Sequence, residues 1–421
     1  MKNETPARVI FFSNHLRGPL GAAGARSWHQ ARALSTEFDV VVIIPAIDPV
    51  TSQAVTEETY SGLGANVSVI KSWTTSNFRS SKIARAVFFL SAMFSQFVQG
   101  LRVGKCDLVL TMSLPVTLLF VATLISKIRS VPLIVDVRDL PFETAGEIGY
   151  ISNRIFINML KSVESFCLRK ARFVLTNSPR YEPYLIGKGV KAERLSIAPI
   201  GYDDFPPPDR ESVNKWRNTM LEYFESPPGI LAIYSGTIGY AFPVEWILEA
   251  AELLKNNENI GFVIYGDGQR KNEFEDFCAD RKLNVRFPGR VPKIDIHAIC
   301  RAADICLYPA QRGEFSAAIL GNKVFDYLGA GKPIVYTGPD SAVADVIVEL
   351  GAGIICPPDD KTGFAEAIRR LAESPDLIAR YASSANGFRD AGYTAQSSAM
   401  KLARLVQKAL RDTCDKADGS P

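Results

Sequence analysis

Short runs of apolar, mostly β-branched residues recur along this chain and constrain its fold more than any other feature. Helical stretches separate most of them, an alternation typical of parallel sheets covered on both faces. At 421 residues the chain is too long for one ordinary core. The runs form two series: 9–12, 39–44, 67–70, 108–111, 133–137 and 173–176, then 231–234, 261–265, 285–287, 305–308, 334–336 and 353–356. We therefore predict an α/β protein with two doubly wound, Rossmann-like domains.

Proline marks the boundary between the two series. Pro206 to Pro208 are successive prolines, which continue neither a helix nor a central strand. We predict three segments: an N-terminal domain at 1–200, a C-terminal domain at 201–394, and, at 395–421, a strap helix that crosses back to the first domain and ends in a loose tail. Parallel sheets bind ligands beyond the carboxyl ends of their strands, so the expected site is the cleft between the domains.

The overall charge gives no reason to expect a nucleic-acid partner, and we predict none. Lysine and arginine outnumber aspartate and glutamate by only 48 to 45, a net charge of +3. The seven cysteines and three histidines are scattered, without the spacing of a metal site. The first apolar run is too short for a signal peptide. We expect reduced cysteines, no metal and a cytoplasmic location.

The segment 321–335 (GNKVFDYLGAGKPIV) reads as a short helix beginning at Asn322, ending at a glycine and followed by a buried strand. A helix start presents unpaired N–H groups and a partial positive charge that can hold a phosphate, while the Asp326 carboxylate could bond a sugar hydroxyl. The alternative is an ordinary helix-to-strand connection with a C-capping glycine. The first interpretation gives a nucleotide-sugar site.

Two further motifs follow predicted strands of the first domain. The loop 18–26 has small residues, Gly21 among them, that allow close backbone approach to a ligand, or it is a flexible turn. The segment 136–140 lies at the carboxyl end of a predicted strand, where Asp139 could accept a hydrogen bond from a sugar hydroxyl or stabilise developing positive charge, with Arg138 or Arg26 balancing its charge. A solvated salt bridge is the alternative. His15, in the loop after the first strand, is the histidine that we would test for an active-site role.

Glycines also follow three strands of the second domain. Gly236 and Gly239 follow the first, Gly266 the second, and Gly289-Arg290-Val291 a third. Glycine permits backbone contact with a diphosphate or sugar, and Tyr308 could stack on a base. Each site alone is more often a turn, but three at one sheet edge favour a ligand site.

Read together, these motifs resemble the retaining family 4 glycosyltransferases of the GT-B fold, and more narrowly the branch that builds bacterial surface polysaccharides such as O-antigen and capsule. The resemblance covers nearly the whole chain. It rests on the order of six pieces: GAAGAR at 21–26, DVRDL at 136–140, LSIAPIGYD at 195–203, YSGTIG at 234–239, YGDG at 265–268 and NKVFDYLGAGKP at 322–333.

The resemblance implies roles for these positions. Asp326 would bond the ribose of the donor nucleotide, the helix start at Asn322 would face its diphosphate, and the loop 317–321 would face the donor sugar. Further implied contacts are Arg290 and Val291 to the base, Gly236, Gly239 and Gly266 at the cleft, Ala318 and Gly321 in the donor loop, and Gly21 with Asp139 at the reacting end. Members need no dedicated metal and no cofactor beyond the nucleotide-sugar substrate.

The sequence departs from the family pattern twice. Ala318 stands where the family's first acidic residue is expected, with Glu314 four residues earlier. The arginine and lysine usual after the 234–239 strand exit are also absent. Lys323, Arg312 or Arg270 would then supply the positive charge for the diphosphate.

The segment 82–101 is the candidate for membrane contact. Its apolar residues recur at helical spacing, and basic residues flank it, as in an interfacial helix attracted to anionic lipid. The alternative is a core helix of the first domain. The first interpretation would make the protein peripheral on the inner face of the plasma membrane.

We therefore expect a retaining glycosyltransferase of hexosyl or N-acetylhexosaminyl type. It would move a sugar from a nucleotide diphosphate donor, UDP by expectation, to a lipid-linked or growing glycan in surface polysaccharide (lipopolysaccharide) synthesis. Two alternatives stay open: a UDP-sugar 2-epimerase on a similar scaffold, and a non-catalytic subunit that only binds nucleotide sugar.

Overall fold

The chain forms two compact units, residues 1–203 with 395–421 and residues 204–394. The computed structural model describes residues 6–18, 24–49, 51–75, 81–140, 142–143, 154–203, 208–240 and 242–418. Each unit has its own sheet, and each is described in turn.

The first unit is built on a seven-stranded, wholly parallel sheet in the order β3-β2-β1-β4-β5-β6-β7. Its central strands are buried apolar runs, as expected for a sheet covered on both faces. The strands are β1 Arg8–Phe12, β2 Asp39–Pro45, β3 Val67–Ser72, β4 Leu108–Met112, β5 Leu133–Val137, β6 Phe173–Thr176 and β7 Leu195–Ile197. The strand order reverses between β1 and β4.

The right-handed crossover rule assigns α1, between β1 and β2, to one face of the sheet and α2, α3 and α4 to the other. The packing of α3 against both α2 and α4 agrees with this assignment. The described helices are α1 Ala25–Leu34, α2 Lys82–Arg102, α3 Val116–Arg129, α4 Arg154–Lys170, α5 Glu182–Gly187 and, from the end of the chain, α15 Ala395–Asp418. The last of these packs on α1, which confirms the predicted return of the C-terminal helix to the first domain.

The second unit has a six-stranded parallel sheet in the order β10-β9-β8-β11-β12-β13. Its strands are β8 Ile230–Ser235, β9 Ile260–Tyr265, β10 Val285–Gly289, β11 Ile305–Pro309, β12 Ile334–Thr337 and β13 Gly353–Cys356. Its helices are α6 Arg210–Glu222, α7 Glu245–Leu253, α8 Lys271–Arg281, α9 Lys293–Ala302, α10 Glu314–Ala318, α11 Asn322–Gly329, α12 Ala342–Leu350, α13 Lys361–Ala372 and α14 Pro375–Ala385. The order reverses between β8 and β11, where open α/β sheets hold ligands.

Both predicted series of strands are confirmed, and the helix predicted to begin at Asn322 and end at a glycine is α11. Two elements were missed. The edge strand β7 has only three residues, too few for a periodic signal. Part of the predicted donor loop 317–321 belongs to the short helix α10.

Candidate functional site

The amino end of α11 is open in the second unit. Gly321 caps the helix in an extended conformation without a side-chain hydrogen bond to the first turn, and Asn322 is exposed. A Cβ added at Gly321 would lie 3.1 Å from the Tyr308 hydroxyl, which favours a residue without a side chain there. The N–H groups of the first turn and the helix dipole therefore form a surface suited to an anion.

Lys323, on the first turn of α11, points its amine into a cage of aromatic rings. Its Nζ donates to the Tyr234 hydroxyl at 2.9 Å and lies 3.3 Å from the centre of the Phe242 ring. Tyr234 and Tyr308 present their rings at 4.3 and 5.4 Å. Desolvation lowers the pKa of this amine well below its ordinary value. An anionic ligand beside the amine would restore its charge.

Of the three cations considered from sequence, Lys323 alone lacks a carboxylate partner within the described residues. Arg270 bonds Glu245 at 2.8 Å, and exposed Arg312 pairs with Asp359. An arginine that is already paired with a carboxylate offers less positive charge to a diphosphate than a lysine that has no carboxylate partner. The structure thus favours Lys323 as the cation of the site.

Close packing alone explains why positions 236 and 266 are glycines. A Cβ at Gly236 would lie 2.7 Å from the Lys323 Nζ, and one at Gly266, where φ is +136°, would lie 1.8 Å from the Gly236 carbonyl oxygen. Their N–H groups already donate to the Tyr265 and Gly289 carbonyls. They are therefore not free to bond a diphosphate as the sequence suggested. Gly239 is buried, but a Cβ there would lie 3.7 Å from the Thr237 Cγ2, an ordinary van der Waals contact.

Asp326 lies one turn after the α11 start and is held by a histidine that sequence reasoning left out of the site. The Asp326 Oδ1 is 3.2 Å from Nε2 of His297, a buried residue of α9. The carboxyl is partly accessible, so its other oxygen can accept a bond from a ligand hydroxyl. The two residues lie on different elements, and no local pattern in the sequence links them.

The remaining residues that were predicted to contact the donor differ in their exposure. Arg290 is exposed and Val291 partly exposed directly after β10, which leaves both accessible to a ligand. Ala318 is buried at the end of α10, so its methyl group faces protein rather than a ligand. Tyr308 is buried and stacked on Tyr336 at 5.9 Å. The prediction that Tyr308 stacks on a base is therefore wrong, because its ring face is occupied.

In the first unit, the two predicted partners of Asp139 bind another carboxylate. Arg26 and Arg138 bond the fully buried Asp136 at 2.9 and 2.8 Å, and Gln30 is a third partner at 2.9 Å. Burial opposes ionisation of Asp136, but the two guanidinium groups outweigh it and hold its pKa below the usual range. Both arginines therefore bond Asp136 rather than Asp139, and Arg138 acts on Asp139 through its charge.

The charge of Arg138 affects the pKa of both Asp139 and His15. Asp139 keeps an exposed surface, yet desolvation raises the pKa of its carboxyl against the opposing charge of Arg138. Burial lowers the pKa of His15 to about 4, a shift that Asp48 opposes and Arg138 reinforces. His15 is therefore a neutral imidazole at neutral pH, and its buried Nδ1 has no hydrogen-bond partner in the described part of the chain. Gly21 lies outside the described residues.

A polar cluster after β6 was not found from sequence. The buried side-chain oxygens of Asn177, Ser178 and Tyr181 have no hydrogen-bond partner in the described structure. Burial raises the pKa of Tyr181, and the charge of Asp139 adds to the shift. Buried polar atoms normally find partners, so unpaired ones beside Asp139 suit a bound hydroxylated ligand. Their position after the carboxyl end of β6 could have identified them as site candidates from the sequence.

Two family models match the chain, one on each unit. The model described as "Glycosyl transferase 4-like domain" matches residues 21–201, and "Glycosyl transferases group 1" matches residues 230–374. Within the described residues, no group of three or more His, Cys, Asp or Glu side chains could hold a metal ion. The chain is a glycosyltransferase of the GT-B fold.

Solved structures and a sequence relative agree with this assignment. The glycosyltransferase superposes on Anabaena Alr3699/HepE in complex with UDP with a TM-score of 0.70 and 14% identity, covering 95% of this chain and all of that one. WaaG, a glycosyltransferase involved in lipopolysaccharide biosynthesis, gives a TM-score of 0.63 at 15% identity over 94% and 99% of the two chains. Alpha-D-kanosaminyltransferase of Streptomyces kanamyceticus is 26% identical over 69% of this chain and 74% of its own.

Proposed function

We propose that this glycosyltransferase retains the anomeric configuration of a sugar that it transfers from a UDP donor to a lipid-linked or growing surface glycan. The arrangement on α11 carries the proposal. One helix presents an open amino end, a lysine without a counterion in the described structure, and a carboxylate one turn further on. These three groups match a diphosphate and the ribose attached to it. The UDP complex of the similar Anabaena protein supports the choice of nucleotide.

The chemistry follows from where charge develops. When the bond between the anomeric carbon and the diphosphate oxygen breaks, the electron pair stays on the leaving UDP. The α11 dipole and the Lys323 ammonium would stabilise that negative charge, while Asp326 holds the ribose. The first unit would supply the acceptor side, with Asp139 and neutral His15 as hydrogen-bonding groups beside the reacting sugar. No metal is needed in this scheme.

Donor hydrolysis tests the proposal. We expect slow release of UDP when the protein is incubated with a panel of UDP-sugars, and loss of release in Lys323→Met and Asp326→Asn. Lys255→Met, at an exposed lysine of the same unit, is the matched control and should behave as wild type. A sugar returned with altered configuration would identify an epimerase instead. Binding of donor without any turnover would identify the protein as a non-catalytic subunit that only binds nucleotide sugar.

The site of action follows from the acceptor. A lipid-linked glycan stays in the bilayer, so an enzyme that uses it would work peripherally on the inner face of the plasma membrane. Exposed apolar residues on α2 and α4 of the first unit support this placement.

A further inference from the structure

Helix α2 is apolar on two opposite faces, and only one of them is packed. Phe88, Ala92 and Gln96 are buried against the first unit, and a Cβ at Gly100 would lie 2.8 Å from the Phe12 ring. Opposite them, a second stripe of large apolar residues is between 44% and 78% exposed: Ile83, Val87, Leu90, Phe94 and Leu101. A core helix needs only the packed face. The exposed stripe is therefore unexplained by the fold.

Helix α4 repeats the arrangement. Its buried face carries Ile157, Glu164 and Leu168. Its opposite face exposes Ile155, Phe156, Met159 and Phe166 by 43% to 84%. The spacing of both exposed stripes is helical, so each forms a continuous band rather than scattered single residues.

The two bands belong to one surface. Both α2 and α4 pack against α3, on the sheet face that the right-handed crossovers assign to all three. Trp73, 64% exposed, lies two residues before Thr75, whose N–H donates to the Ser91 hydroxyl of α2. We call the exposed apolar residues of α2 and α4 the outer helical face.

The helices of the outer helical face and their neighbour α3 are rich in basic residues. Helices α2, α3 and α4 carry three, two and four basic residues. The same helices contain a single acidic residue, Glu164, which is buried and paired with Lys188. A chain of net charge +3 thus concentrates cations beside its largest exposed apolar bands. Apolar bands among cations are complementary to an anionic lipid surface.

We propose that the outer helical face docks the first unit on an anionic phospholipid bilayer, with α2 and α4 lying in the plane of the interface. Residues 83–102 have the length and the mean hydropathy of 1.2 of a spanning helix. The packed face of α2 nevertheless ties it to the sheet, so it lies on the bilayer without crossing it. A second copy is a poor occupant, since a two-fold contact would set like charges against each other.

This inference rests on the proposed function and extends it. The bilayer would be the partner that brings the enzyme to a lipid-linked acceptor. It can be tested by co-sedimentation of the full chain with vesicles. We expect binding to phosphatidylglycerol-containing vesicles, weaker binding to phosphatidylcholine alone, and release by salt.

Paired substitutions locate the contact. Leu90→Ser with Phe94→Ser on α2, and Met159→Ser with Phe166→Ser on α4, should each lower vesicle affinity on the order of tenfold. Leu253→Ser with Val348→Ser, at exposed apolar residues of the second unit, is the matched control and should bind as wild type. Unchanged thermal melting would show that the variants fold.

Three outcomes would overturn the docking surface. These are wild-type protein that does not bind the vesicles, equal binding by all variants, and a dimer in solution that the α2 or α4 substitutions dissociate. Binding of UDP by calorimetry separates this inference from the proposed function. The surface variants should keep UDP binding, whereas a wild-type protein that binds vesicles but not UDP would refute the donor site alone.

Discussion

At the scale of single residues, Lys323 should report donor binding through its proton. Desolvation lowers the pKa of the free amine, and a bound diphosphate would raise it again. UDP binding should therefore take up protons, and affinity should fall as pH rises above the pKa of the free amine. Lys323→Met should weaken UDP binding by about 2 kcal/mol, roughly thirty-fold, and abolish the proton uptake.

Calorimetry in buffers of different ionisation enthalpy measures both effects. Lys255→Met should keep wild-type affinity and wild-type proton uptake. Proton uptake that persists in Lys323→Met would assign the coupled proton to another group and remove Lys323 from the donor site.

The contact between His297 and Asp326 predicts a positioning role for the histidine. His297→Leu should remove this contact, free the carboxylate to rotate and weaken UDP binding by about 1 kcal/mol. A general loss of structure would weaken every ligand alike, so the decisive comparison uses 2′,3′-dideoxy-UDP. Removing the ribose hydroxyls should cost the wild type more affinity than the variant. Equal losses would show that His297 does not act through the ribose contact.

Charge pairing shows where residue-level prediction stops. The sequence places Asp136 and Asp139 three positions apart after one strand, with Arg138 between them. Arg26 could bond either carboxylate, and the choice depends on the strand pleat and on the position of α1. Helix α1 brings Arg26 to the buried Asp136, although the two residues are 110 positions apart in the sequence. Neither is visible in a local motif. The same holds for His297 and Asp326.

At the scale of elements, the loops that leave β8 and β9 touch backbone to backbone, and Gly266 makes this possible. Gly266→Ala would place a methyl group 1.8 Å from the Gly236 carbonyl at a φ of +136°. We expect a loss of about 3 kcal/mol or more in the free energy of unfolding, measured by urea titration. Gly239→Ala, whose added methyl group would lie 3.7 Å from the Thr237 side chain, is the matched control and should change stability little. Equal effects would show that backbone crowding is not the cause.

Element prediction succeeded where periodicity was strong. Runs such as 40–44, of valine and isoleucine only, can bury both faces in a parallel sheet, and their separation by helical stretches leaves few other topologies. Periodicity was less informative about exposure. In 82–101 it indicated one wide apolar face, whereas the structure divides that face into a packed stripe and an exposed one. Phe94 lies in the exposed stripe, but neighbouring Phe89 is partly buried.

At the scale of the whole molecule, the end of the chain completes the unit with which the chain begins. Helix α15 packs on α1 and buries Ala399, Leu402, Val406 and Ala409. Its Ser398 hydroxyl accepts a 2.9 Å bond from Arg26, the residue that also bonds Asp136. The returning helix therefore supports the charged network around Asp136 as well as the core of the first unit.

Leu402→Ala should destabilise the first unit because Leu402 is fully buried between α15 and the rest of that unit. Truncation of a buried leucine costs about 2–5 kcal/mol, which urea titration would measure as a lower free energy of unfolding. Met400→Ala, at a half-exposed residue of the same helix, is the control and should cost far less. UDP affinity should be unchanged in folded Leu402→Ala, since the donor groups belong to α11 of the other unit. Loss of UDP binding by folded protein would mean that the donor site depends on the returning helix.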